Sequence, residues 1–448
     1  MAKQPLKAKR SKPKRGAALV QRGARKVAAR VKGNGAKAKP ARATPPARDP
    51  RASRAQSNNG AAPLGAASAV AQKLVHVGRN DPAGRIFRRY WIPIEVAADL
   101  GTKPKDVRIL GEDLVLFRFP NGEPGLVGHQ CAHRNAGMKL ATPEERGIRC
   151  CYHGWLYDAQ GRCIEMPCEP KDSPLLGQVK IAGYPAIDRY GAIWAYMGEG
   201  EPPELPALDV FVREDGFKRV TKSYHNCNWL QVAENMVDPQ HTTFLHRFSP
   251  LTNVVDELPS FDKTEDTEWG FVVHSTRRDQ GHTRLDHFVF PAMNRVAVNH
   301  MDPPLEIAWY VTPIDDTHAI SISARFLPNP PGADEAEIQR RIDIMLKQDK
   351  VIPRDNPYES GGIVFAQDMY AMESQGVISD RTRETLATSD RGVVRLRRGY
   401  WDALKAIDQG KEPPGILRNS NRGRIDFTTG IFRRPDKMAE IARRSEDL

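Results

Sequence analysis

The chain has 448 residues and carries 67 Lys and Arg against 55 Asp and Glu, a formal charge of +12. Hydrophobic residues make up 40% of it, enough for a buried core, and six cysteines are too few for a disulfide-stapled secreted fold. No apolar run reaches the ~18 residues of a membrane span and no hydrophobic segment follows the basic N-terminus, so a soluble protein of the cytoplasm is expected.

The charge is unevenly spread. Residues 1–54 hold 18 Lys or Arg and a single acid, Asp49, a local +17 that leaves −5 for residues 55–448. This Ala-, Lys-, Arg-, Gly- and Pro-rich stretch has no aromatic residue and cannot bury enough surface to offset the entropy of ordering it. Residues 1–75 are therefore expected to be a disordered basic tail. Three roles suit it: a solvated extension, non-specific binding of anions such as nucleic acid, or targeting.

Periodic sequence begins near Val75, and two domains are expected, residues 85–200 and 201–430. Tyr90, Trp91, Ile92 and Ile94 form an apolar patch; Leu114–Phe119 with Asn121-Gly122 reads as hairpin strands, and short strands continue through Ile148, Trp155–Tyr157, Gly161–Ile164, Tyr184 and Ala192–Tyr196. This first domain is small and all-β. The Gly/Glu/Pro cluster 198–203 marks the boundary. A helical stretch is predicted over Asn228–His246, then strands at Phe271–Ser275, Thr283–Phe290, Arg295–Val298, Ile307–Pro313 and His318–Leu327. Helices follow over Asp334–Asp349, Val364–Met372 and Trp401–Asp408. The fold class is α+β: the second domain is an antiparallel sheet flanked by helices. Polar, Pro-containing segments at Ser249–Glu268 and Lys350–Gly362 read as loops that could cover a pocket.

The densest chemistry lies in the first domain. Cys131-x-His133 and Cys150-x-x-His153 each place a thiolate and an imidazole on one tight loop. Such a set suits zinc or an iron–sulfur centre. With both cysteines on one iron and both histidines on the other it makes a Rieske-type [2Fe-2S] cluster. Neutral imidazoles in place of two thiolates make that cluster easier to reduce, at roughly −150 to +300 mV against about −400 mV for all-cysteine plant-type clusters. Cys151 competes with Cys150 for the ligand position, but only Cys150 keeps two residues before the histidine. Cys163, Cys168 and Cys227 lack paired spacing and read as ordinary thiols.

A second group lies in the predicted helix. His241 and His246 are five residues apart, about 140° around an ideal helix, so they converge only if the helix breaks; Pro239 sits just upstream. Two imidazoles and one carboxylate would form a facial triad for non-haem Fe(II). Asp238 and Asp368 are both candidates for the carboxylate, and spacing does not choose between them.

Together these motifs resemble the oxygenase (alpha) component of Rieske non-haem iron aromatic ring-hydroxylating systems, in the phthalate dioxygenase-like branch that includes aryl-ether O-demethylases. The resemblance spans residues 85–400. It implies that Cys131, His133, Cys150 and His153 hold the cluster, that His241, His246 and Asp368 hold the iron, and that Asp238 bridges the iron site of one subunit to the cluster histidine of its neighbour in a head-to-tail homotrimer. It also implies a terminal oxygenase that takes electrons from an NAD(P)H-dependent reductase and uses O2 to hydroxylate an aromatic substrate, with an aromatic carboxylate favoured. The alternative is O-demethylation of a methoxylated aromatic acid with release of formaldehyde. Cys151 departs from the branch, where proline is usual. Arg277, Arg278 and Arg295 are the candidate anchors for an anionic substrate, or else surface charges. A different class, the stand-alone Rieske electron-transfer protein, would need neither residues 228–246 nor Asp368. Nucleic-acid binding is expected only non-specifically, through the tail.

Overall fold

In the computed structural model the described residues are 70–246, 258–278, 281–298, 304–347, 364–418 and 422–432. The basic segment 1–69 and the expected loop at Lys350–Gly362 lie outside them. Residues 72–75, which composition assigns to the tail, form a 3-10 turn with Leu74 and Val75 buried. The turn is held because Asn228 Nδ2 donates to the Val75 carbonyl at 2.9 Å.

The helix α1 (Pro82–Phe87) leads into the first domain, where every strand pairing is antiparallel. Its strands are β1 (Trp91–Val96), β2 (Lys105–Ile109), β3 (Glu112–Arg118), β4 (Pro124–Gly128), β5 (Thr142–Glu144), β6 (Gly147–Arg149), β7 (Leu156–Tyr157), β8 (Cys163–Glu165), β9 (Gly183–Tyr184), β10 (Ala186–Arg189) and β11 (Ala192–Tyr196). They make three small sheets, ordered β1-β11-β10, β2-β3-β4-β9 and β5-β6-β7-β8. Val115, Phe117, Val127, Met138, Ile148, Trp155 and Tyr157 form a separate small core at the end that carries the two Cys/His loops.

After α2 (Asp209–Val212) comes the strand β12 (Gly216–His225), which the sequence reading lacks, and then α3 (Trp229–Asn235) and α4 (His241–Leu245). The sheet continues with β13 (Ser260–Thr267), β14 (Gly270–Arg277), β15 (His282–Val289), β16 (Met293–Val298), β17 (Leu305–Pro313) and β18 (Ala319–Pro328). The helices α5 (Glu335–Lys347), α6 (Val364–Ser374) and α7 (Arg391–Asp408), and the strand β19 (Gly430–Phe432), complete the domain. The eight-stranded antiparallel sheet runs β12-β18-β17-β16-β15-β14-β13, with β19 on β15. Most of the segment expected as a loop over Ser249–Glu268 that is described is thus the edge strand β13. The helix α7 begins ten residues before the expected Trp401.

Both faces of β17 and β18 are buried, which explains why alternation there is weak. One face meets the first domain: Tyr310 Oη donates to the Trp91 carbonyl at 3.1 Å and Thr312 Oγ1 to that of Pro93 at 2.8 Å. The other meets the helices, as where Trp309 stands edge-on to Phe365 of α6 at 5.5 Å. The larger apolar core runs from Trp91 and Trp194 through Tyr310 and Trp229 to Tyr400.

Candidate metal centres

The two Cys/His loops are built alike. In the first, Cys131 N–H donates to the Ala136 carbonyl and Asn135 N–H to the Cys131 carbonyl, both at 2.9 Å. In the second, Cys150 N–H donates to the Trp155 carbonyl at 2.9 Å and Gly154 N–H to the Cys150 carbonyl at 3.1 Å. The residue that closes each turn, Asn135 or Gly154, has positive φ, 56° and 75°. That conformation suits Gly and Asn above other residues. Each turn curls the backbone around its cysteine and leaves the histidine on the rim.

Cys131 and Cys150 are buried beside each other, whereas Cys151 is exposed. Burial thus favours Cys150 over Cys151 for the ligand position. Burial raises the Cys150 thiol, with Cys131 beside it adding to the effect. The rings of His133 and His153 stand 4.4 Å apart, and His133 stacks on Trp155 at 4.6 Å and 7°. His133 Nδ1 is buried without a hydrogen-bond partner, as a nitrogen reserved for a metal would be. Two neighbouring buried sulfurs and two half-exposed imidazoles could together supply the donors of a mixed-ligand [2Fe-2S] cluster. Tyr157, which sequence reasoning overlooks, completes the pocket: its hydroxyl accepts from Ala132 N at 3.1 Å and lies 3.2 Å from Cys131 Sγ. Of the other thiols, Cys163 and Cys227 are buried and Cys168 is exposed.

The second group depends on a broken helix. Asn228 caps α3, accepting from Leu230 N at 3.0 Å. Beyond Asn235 the chain tightens into 3-10-type bonds, and Pro239, lacking an N–H, ends the ladder. Asp238 Oδ1 accepts from Gln240 N at 2.8 Å and shapes the turn into α4. His241 opens α4 and His246 caps its end, so neither is bound by ideal helical phase. Their rings lie 5.3 Å apart at 81°.

Both histidines aim Nε2 at one oxygen of Asp368, on α6: 3.4 Å from His241 and 3.2 Å from His246. One atom from each of the three residues lies within 4.8 Å of the others. These separations match neighbouring ligands on a single ion with bonds of about 2.1 Å, on the order of 3 Å apart. Asp238 stands on the far side of His241, with Oδ2 3.7 Å from Nδ1. The geometry therefore separates the two carboxylates that spacing left equivalent. Burial raises the Asp368 carboxyl, but the charge of His246 and bonds from both imidazoles outweigh it and hold the group well below the usual carboxylate range. Burial disfavours a cationic His241, yet Asp238 and Asp368 on either side raise it to about 9. A buried carboxylate oxygen faced by two imidazole nitrogens is a donor set into which a dication fits.

Supporting groups that the sequence reading lacks surround this triad. His246 Nδ1 meets Gln367 Oε1 at 2.8 Å, and Asn235 Nδ2 reaches Asp368 Oδ1 at 3.5 Å. Neither has a signal in spacing, although Gln367 is the neighbour of Asp368 in the chain. The three candidate arginines separate. Arg295 is fully buried and donates through both Nε and Nη2 to Asp209, with Glu306 also paired to it, so it is a structural ion pair. Arg278 is exposed at the end of β14. Arg277 is buried and donates to Thr242 Oγ1 at 2.7 Å, so it is not the surface charge that was the other expectation.

Residues 90–185 match the family model of the Rieske [2Fe-2S] domain. Over 356 residues the chain is 34% identical to the 5,5'-dehydrodivanillate O-demethylase oxygenase subunit of Sphingobium sp. (strain NBRC 103272 / SYK-6), covering 78% of this chain and 82% of that one. It is 31% identical to the phenoxybenzoate dioxygenase subunit alpha of Ectopseudomonas oleovorans, over 83% of this chain and 93% of the relative. It is 32% identical to the phthalate 4,5-dioxygenase oxygenase subunit of Pseudomonas putida, over 79% and 89%. Among solved structures, the fold resembles the terminal oxygenase of carbazole 1,9a-dioxygenase from Novosphingobium sp. KA1, with TM-score 0.56, 20% identity, and 75% of this chain and 95% of that one covered.

Proposed function

We propose, for a chain that belongs to the Rieske non-haem iron aromatic ring-hydroxylating oxygenases as their terminal oxygenase component, that Cys131, His133, Cys150 and His153 hold the [2Fe-2S] cluster and that His241, His246 and Asp368 hold the mononuclear iron. The observation that carries the second assignment is the convergence of two Nε2 atoms on one buried carboxylate oxygen, 3.2 and 3.4 Å away. Iron held there would supply the chemistry of O2 activation, and a cluster held by the two Cys/His loops would supply one-electron transfer. The chain does the rest. Asp368 and the two imidazoles fix the ion's position and charge. Asp238 Oδ2, 3.7 Å from His241 Nδ1, is too far for a hydrogen bond, but its negative charge favours the ring's proton on that nitrogen and so leaves Nε2 for the metal. In a head-to-tail homotrimer that carboxylate would stand toward the neighbour's cluster loop, the route by which the second electron enters.

The substrate reading is hydroxylation of an aromatic carboxylate, supported by relatives named for phthalate and phenoxybenzoate. The second reading is demethylation of a methoxylated aromatic acid, supported by the 34% identical O-demethylase subunit. The electron donor is a separate NAD(P)H-dependent reductase, directly or through a ferredoxin; an oxygenase–ferredoxin complex is recorded for carbazole 1,9a-dioxygenase, whose fold this chain shares. The test is turnover with a surrogate reductase over phthalates, benzoates and methoxybenzoates. A cis-diol supports ring dioxygenation, and formaldehyde supports demethylation. Iron analysis is independent of substrate: about three iron atoms per chain are expected, and a value of two would reduce the protein to an electron carrier.

A further inference from the structure

We infer that Gln367 is a positioning residue for the iron site: its side-chain carbonyl receives the Nδ1 proton of His246 and so commits the Nε2 lone pair of that imidazole to the metal. The inference rests on the iron reading given above. The contact is 2.8 Å long, and both partners lie inside the protein, Gln367 at 0% exposure and His246 at 2%. A neutral imidazole carries one proton on either nitrogen, and the bond made by one nitrogen decides what the other can do. Here Nε2 faces Asp368 Oδ1 at 3.2 Å, so an acceptor at Nδ1 leaves Nε2 as a lone-pair donor. Because Gln367 and Asp368 are consecutive on α6, one segment of helix delivers both a metal ligand and the group that orients its partner ligand.

Packing does not account for this residue. Gln367 Nε2 is buried without a hydrogen-bond partner, and Leu or Met would fill the space without stranding a donor. What an aliphatic side chain lacks is the acceptor. The choice of an amide over a carboxylate also has a reason. His241 already lies between two carboxylates, Asp238 and Asp368, toward the more exposed side of the site. A second acid against the deeply buried His246 would add an uncompensated negative charge, whereas a glutamine sets the tautomer at no net charge. The two iron histidines thus differ at Nδ1: His241 has an acid 3.7 Å away on the open side, and His246 is hydrogen-bonded to a neutral amide on the closed side.

The test uses the full chain with its cluster in place and the mononuclear site emptied, as native protein, Gln367→Leu and Gln367→Glu. Fe(II) is titrated anaerobically, and Co(II) is added as an optical probe of the ligand field. Gln367→Leu is expected to weaken Fe(II) binding by about 10–100-fold and to shift the Co(II) bands, while the cluster's paramagnetic signal stays as in native protein. Gln367→Glu restores an acceptor, so its affinity should return to within a few-fold of native, with a Co(II) spectrum altered by the stronger acceptor. Native-like affinity and bands in Gln367→Leu overturn the inference. Should that variant not fold, unchanged Co(II) bands in Gln367→Glu overturn it instead. If native protein takes up neither ion outside the cluster, the iron assignment itself fails, a result distinct from both.

Discussion

Arg277 donates from its buried guanidinium to the hydroxyl of Thr242, 2.7 Å away and one residue from His241. The same hydroxyl donates to the Pro239 carbonyl at 2.8 Å. One oxygen therefore ties the sheet, through β14, to the turn that breaks the helix and sets His241. Thr242→Val keeps the shape and removes both bonds. We expect a loss of about 1.5–3 kcal/mol, as for a hydrogen bond to a charged group, together with lower iron occupancy. Chemical denaturation and metal analysis check this; an unchanged midpoint with full iron would show that the turn holds itself.

Asp238 touches no other member of the triad than His241. Asp238→Asn keeps the size of the side chain and a carbonyl acceptor but removes its charge. Both metal centres should load normally, with an unaltered cluster spectrum, while turnover falls by about 10–100-fold. Stopped-flow oxidation of the reduced cluster by O2 and substrate locates the defect. A turnover loss accompanied by loss of iron would make Asp238 a structural residue instead.

Tyr157 accepts from Ala132 N–H, which turns its own proton toward Cys131 Sγ. Burial, reinforced by Cys131, raises the phenol well above its ordinary value, so the donor stays protonated across the working pH range. A hydrogen bond to a cluster sulfur favours the reduced, more negative state. Tyr157→Phe should lower the reduction potential by an amount on the order of tens of millivolts, measured by redox titration. A potential that stays fixed would show that the hydroxyl serves only Ala132.

His282 predicts an acid limb of stability. It lies opposite Arg277 in the sheet, and burial with the charges of Arg284 and Arg277 lowers its pKa from 6.5 to about 3. The folded protein keeps it neutral while the unfolded chain protonates it near 6.5. Its contribution is complete above 6.5 and is lost as pH falls from there toward 3, with about 3 kcal/mol gone by pH 4. In His282→Gln that part of the slope should disappear. Urea midpoints for both proteins between pH 4 and 7 decide it, and parallel curves would place the acid sensitivity elsewhere.

Legibility in the sequence followed the distance over which each feature is determined. The proposed cluster ligands Cys131, His133, Cys150 and His153 lie in two short loops, so spacing alone suggests them. His241 and His246 need the break at Pro239 before they converge, and Asp368, from a remote helix, has no local signature; only family resemblance selected it. The strands β12 and β13 escaped because each sits at an edge of the eight-stranded sheet, where a polar sequence such as Ser260–Thr267 is tolerated and reads as a loop. Arg295 looks like a surface charge until Asp209, 86 residues away, is placed against it. The supporting contacts of Gln367, Asn235 and Tyr157 are wholly tertiary.

The bonds between β1 and the large sheet have a mechanical consequence. Tyr310 and Thr312 grip the carbonyls of Trp91 and Pro93, Lys222 on β12 pairs with buried Glu95 on β1, and the backbone at Leu110 and Gly111 bonds to Pro313 and Ile314. Anchors at so many points leave no pivot between the two halves of the chain. A redox centre mounted on one half cannot swing out to collect charge and swing back, so whatever reduces it must diffuse up to a stationary target, and encounter rather than domain rotation would set the pace of loading.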